Sequence, residues 1–109
     1  PSRSSAASDV YKRQEGIDIE HLPSKTLSQA EQLKNKDLNK SLMLYREVMN
    51  IDKSSDSSKI AAYFLGMHFD YEVSLIDSAK YYYEFLSKNF PDSAQAANAI
   101  KRLEVLNAE

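Results

Sequence analysis

A chain of 109 residues with a formal net charge of −2, no Cys, two Gly and three Pro can fold as one small domain, and its shortage of turn residues favours helices over strands. That balance offers no basic footprint for nucleic acid, no polybasic membrane patch, no disulfide frame and no thiolate metal site. No stretch comes near the roughly 18 consecutive apolar residues that a spanning helix needs.

In chain order, residues 1–14 (PSRSSAASDVYKRQ) are rich in Ser and Ala and show no apolar period, the composition of a disordered leader. They also resemble an adaptor- or vector-derived peptide and are set apart from the fold. The chain opens at Pro1 and its first Met is Met43, so a piece of a longer reading frame is expected. Residues 15–26 read as a linker, with Ile17, Ile19 and Leu22 as apolar anchors and Pro23 near its close.

A helical domain is expected over residues 27–109. Leu27, Ala30 and Leu33 share one side of a first helix running to Asn35. Asp37 suits the cap of a second, whose apolar face is Leu38, Leu42, Tyr45, Val48 and Met49. The polar run from Asp52 to Ser58 breaks the chain before a third helix, Lys59 to Phe69. A turn over Asp70 to Ser74 follows, and Ser74 with Asp77 reads as a capping box. In the fourth helix, Leu75 to Asn89, Ile76, Ala79, Tyr83 and Leu86 make one stripe, which Tyr81, Tyr82 and Phe85 widen. Pro91 ends it, Asp92 with Gln95 suggests the next cap, and an Ala-rich helix runs to Asn107 with Ile100, Leu103 and Leu106 on its edge.

Sliding the chain by 38 residues places Leu38 on Ile76, Ser41 on Ala79, Tyr45 on Tyr83, Val48 on Leu86, Ser55 on Ser93, Ala61 on Ala99 and Leu65 on Leu103. A small residue, an aromatic and an aliphatic thus recur in helical register. This pattern resembles the tetratricopeptide repeat, a helix–turn–helix unit of about 34 residues. The match is best from Ala62 to Pro91, where Leu65, Gly66 and Phe69 resemble first-helix positions, and Ile76, Ala79, Tyr83 and Leu86 second-helix ones, with Pro91 as the terminal proline. The earlier unit departs further, with Ser41 for the small residue and Lys53 where the proline belongs.

The resemblance implies an all-α fold of antiparallel helix hairpins stacked as a short α-solenoid, about two units plus a C-terminal helix. It implies a protein–protein interaction scaffold, not an enzyme, that takes a protein or peptide partner and no cofactor or metal. First helices line the concave face in this family, so Ile60, Tyr63 and Met67, then Gln95, Asn98 and Arg102, are the implied partner-binding residues. Tyr63 and Met67 can equally be core, and Asn98 and Arg102 plain surface. The string YYYEFLSKNFPDS before an Ala-rich helix is similar to bacterial cell-envelope members, the BamD-like outer-membrane assembly lipoproteins and Tol-Pal-associated coordinators. That implies a periplasmic or outer-membrane-associated protein, with a lipid anchor upstream, the cytoplasm being the alternative. A self-contained bundle with a structural or dimerisation role is the competing reading.

Physically, hairpins that are apolar on two sides must shelter one another. Residues 15–109 alone are therefore expected to be marginally stable, or to self-associate through the uncovered face of the first hairpin. No pattern points to catalysis. HExxH, GxSxG, Walker-type and GxGxxG strings are lacking, and the only histidines are His21 and His68. His68 and Asp70 stand two apart, a spacing that points helical side chains in different directions. The serines from Ser54 to Ser58 suit helix capping better than nucleophilic chemistry.

Overall fold

Apolar periodicity becomes five α-helices among the described residues, which span 22–108 of the computed structural model. They are α1 (Leu22–Leu33), α2 (Leu38–Ile51), α3 (Asp56–Met67), α4 (Ile76–Asn89) and α5 (Ala94–Ala108), with a π-helical turn, His68–Glu72, continuing α3. No strand occurs among them, and none of these helices is long and apolar enough to cross a membrane. The leader 1–14, the linker through His21 (with Ile17 and Ile19) and Glu109 lie outside the described residues.

The breaks follow local chemistry, with corrections. α1 starts at Leu22, so the second half of the expected linker is helical and Pro23 opens the helix instead of closing a connector. A first-turn proline loses nothing, because its missing N–H has no intrahelical acceptor there. Asp37 caps α2, accepting from the Lys40 amide at 3.2 Å. Leu38, expected on the apolar face, is exposed. Ser55 caps α3 through the Ser58 amide at 3.1 Å, which draws Asp56 to Ser58 out of the expected break and into the helix. The expected capping box of Ser74 and Asp77 does not form: Ser74 sits at φ 61° and Leu75 caps α4 without a side-chain bond. Ser93, not Asp92, caps α5, its Oγ accepting from the Ala96 amide at 3.0 Å.

Each helix packs on the next, and α3 also touches both α1 and α5. Small buried residues set the approach. The Ser41 hydroxyl donates to the Ala30 carbonyl at 2.6 Å across the first hairpin, and that of Ser58 to the Val48 carbonyl at 3.1 Å. At the 38-residue shift four pairs share full burial, Ser41 and Ala79, Tyr45 and Tyr83, Val48 and Leu86, Ala61 and Ala99, each no more than 1% exposed, whereas Leu38 is exposed against a half-buried Ile76 and Leu65 is buried against a half-buried Leu103. Rings bridge successive helices, Tyr45 stacking on Phe64 at 4.3 Å and Phe69 on Tyr82 at 5.9 Å between centroids. Tyr81, expected to widen the apolar surface of α4, is instead exposed.

The exposed side of α1 is mostly polar, with Lys25, Gln29, Glu31 and Gln32, but the first hairpin also exposes Leu22 of α1 (40%) and Met43 of α2 (64%). Aliphatics are exposed on α5 as well, where Ile100 and Val105 are 42% and 46% exposed.

Candidate functional site: a cleft between α3 and α5

The site begins with a backbone irregularity. The amide of Val73 reaches the His68 carbonyl at 3.2 Å, five residues back, and that of Leu75 reaches the Phe69 carbonyl at 2.8 Å. This widened turn closes α3 with Phe69 and Asp70 both buried. Such π-turns distort a helix locally and concentrate at functional positions. Here it drives a carboxylate inward.

Asp70 then needs partners, since an unpaired buried charge is costly. Arg102 of α5 supplies a forked pair, Nε donating to Oδ2 at 2.6 Å and Nη2 to Oδ1 at 2.9 Å. The Tyr83 hydroxyl of α4 donates to Oδ2 at 2.8 Å. Arg102's hydrogen bonds hold the Asp70 carboxyl below its ordinary range; burial opposes them and the Tyr83 hydroxyl assists. Burial, then the neighbouring Asp70, pushes the Tyr83 phenol up, and the bond to Asp70 does the same for Arg102. Three elements are thereby tied at one carboxylate.

Above this knot opens a cleft of about 290 Å³. Tyr63 and Met67 of α3, Tyr71 of the π-turn, and Asn98, Lys101, Arg102 and Val105 of α5 line it, with Tyr83 at its base. The Asn98 Nδ2 donates to the Tyr63 hydroxyl at 3.2 Å, and the Arg102 guanidinium lies over the Tyr71 ring, 5.0 Å from its centroid. The forked pair uses two of the five guanidinium donors. The cleft therefore presents aromatic and aliphatic walls with the Asn98 amide and the Arg102 guanidinium held in place and Lys101 at the rim.

Of the six residues that the repeat resemblance implies for a partner face, Tyr63, Met67, Asn98 and Arg102 meet in this cleft. Ile60 is exposed and Gln95 half-buried, and neither lines it. Among the packing positions, Leu65, Gly66, Phe69, Ala79, Tyr83 and Leu86 are buried, Ile76 is half-buried and Pro91 is exposed. Asp70 and Tyr71 escaped the sequence reading because a turn absorbed them. Arg102, read as groove or surface, also anchors the buried carboxylate. A larger groove, about 500 Å³, lies between the C-terminal ends of α2 and α4, with Lys53, Tyr81, Phe85 and Lys88 among its walls. No comparable buried knot organises its side chains among the described residues.

The Asp70 knot predicts a pH dependence. Its carboxyl is more acidic folded than unfolded, so its stabilisation is fully present above about pH 4, the unfolded value, and is lost as pH falls through the folded one. Urea melts of the wild type and Asp70→Asn should therefore differ most at pH 6 and converge towards pH 2. A gap that is constant over this range contradicts the assignment.

No protein-family model, no curated protein and no solved structure matches this chain.

Proposed function

We propose that this chain is a non-catalytic binding module of the tetratricopeptide type, its hairpins stacked as a short solenoid, which holds a protein or peptide segment in the α3–α5 cleft. One observation carries the reading: side chains from two helices that are not consecutive, Tyr63 with Met67 and Asn98 with Arg102, converge on one preformed concavity. The packing of α3 against α1 and α5 and the 38-residue recurrence of buried positions support it. Contact chemistry supports it too, because Tyr, Met and Arg combine area, adaptability and forked hydrogen bonding. By resemblance alone, we place the module in the periplasm or at the outer membrane, the cytoplasm being the alternative. The rival, a self-contained bundle that dimerises, draws on the exposed aliphatics of α5.

The test is selection of displayed random peptides on the full chain, followed by mapping of the winners through backbone amide NMR shifts. Shifts should centre on Tyr63, Met67, Asn98 and Lys101, and the Tyr63→Ala/Asn98→Ala variant should bind about tenfold or more weakly. Peptides that bind this variant as well as the wild type, or shifts centred elsewhere, would sink the reading.

A further inference from the structure

The outer row of α5 reads the same in both directions. Ala97, Ile100, Lys101, Glu104, Val105 and Ala108 are all exposed. At 3.6 residues per turn they fall within an arc of about 140°. Turned end for end about the midpoint of Arg102 and Leu103, the row meets itself in like-suited pairs. Ala97 faces Ala108 of a second copy and Lys101 faces Glu104 across the seam, while Ile100 and Val105, at the two edges of the arc, lie on its flanks. Small residues stand at both ends, where backbones can approach, aliphatics flank the centre, and opposite charges occupy it.

We propose that α5 is a self-pairing surface through which two copies of this chain associate antiparallel about a two-fold axis. A two-fold contact needs one patch complementary to itself, and this row is such a patch. Neither charge is held elsewhere, since the ion pairs among the described residues are Lys59 with Asp56 and Arg102 with Asp70. With 15 residues, α5 is only about 22 Å long, so the interface is small and the dimer weak. Lys101 and Val105 also rim the cleft, so the second copy's helix stands beside it.

Sedimentation equilibrium of the full chain, up to about 1 mM, tests this. The wild type should dimerise. Lys101→Glu and Glu104→Lys each set like charges opposite one another at two symmetric places and should weaken the dimer about tenfold. The double exchange Lys101→Glu/Glu104→Lys restores both pairs and should return affinity to within about threefold of the wild type. Tyr63→Ala, which lies off the row, should leave dimerisation unchanged, so failure of the cleft reading and failure of this one are distinguishable. A wild-type monomer at every concentration, or a dimer indifferent to the single exchanges, or a double exchange no better than the singles, overturns the proposal.

Discussion

Arg102→Met is expected to destabilise the fold by about 3 kcal/mol, roughly twice the loss from Asp70→Asn, although the two residues share one ion pair. The asymmetry comes from solvent. The Asp70 side chain is 2% exposed and that of Arg102 is 30% exposed. Removing the guanidinium strands a carboxylate that water cannot reach, with only the Tyr83 hydroxyl left to satisfy it. Removing the carboxylate leaves a guanidinium that keeps partial hydration and its place over the Tyr71 ring. An asparagine at 70 also retains an oxygen to accept from Tyr83. Its cost is therefore nearer about 1.5 kcal/mol, a charged hydrogen-bonded pair exchanged for a neutral one.

Two further outcomes separate this account from a general loss of packing. The double variant Asp70→Asn/Arg102→Met should be more stable than Arg102→Met alone, because it no longer buries an orphan charge. The pH slope should also invert. With Arg102 gone, burial dominates and raises the folded Asp70 carboxyl above its unfolded value, so the deficit present at neutral pH shrinks on acidification through the folded value. Urea melts at pH 7 and pH 4 read both effects. If Asp70→Asn costs as much as Arg102→Met, or the double variant is the least stable of the three, the carboxylate is not the centre of the knot. Since small domains hold only about 5–15 kcal/mol in total, a loss of this size loosens α5 and with it one wall of the cleft.

How much of this was legible beforehand depends on how local each decision is. The stripe of Ala79, Tyr83 and Leu86 and the Asp37 cap depend on neighbours within a turn or two, and the sequence announces them. Pro23 is ambiguous by nature, because the same ring that ends one segment can open a helix, and packing of Leu27 and Ala30 on α2 decides for the latter. The widened turn at His68–Glu72 leaves no local signature. Its reward, a paired Asp70, arrives from Arg102, 32 residues away. The same distance hid Tyr71 from the cleft: once Asp70 to Ser74 reads as a plain turn, nothing suggests that one of its rings lies under a guanidinium. The first hairpin shows a mixed surface, with Leu22 and Met43 exposed beside Lys25, Gln29 and Gln32. Which hairpin needs covering is a comparison between α1 and α5 surfaces, and periodicity within one helix does not make that comparison.

The other large effect is expected at Gly66, where replacement by Ala should destabilise by about 2 kcal/mol even though the position is helical. In an exposed helix the same change gains about 1 kcal/mol, because glycine alone leaves the unfolded backbone so free. Here the added Cβ would come within 2.7 Å of Cε1 and 2.9 Å of Cδ1 of the Tyr83 ring. That ring is 1% exposed, and its hydroxyl is pinned to Asp70, so it cannot swing aside without breaking the knot. The clash is thus passed on through Tyr83 to Asp70 and Arg102 instead of being relaxed locally. A cycle of thermal or urea melts isolates it. In a Tyr83→Leu background, less stable in itself, the ring is gone and Gly66→Ala should become neutral or stabilising, a reversal of sign. Were Gly66→Ala to stabilise the wild type, or to cost the same in both backgrounds, the close passage of α3 over the Tyr83 ring would not be what requires glycine here.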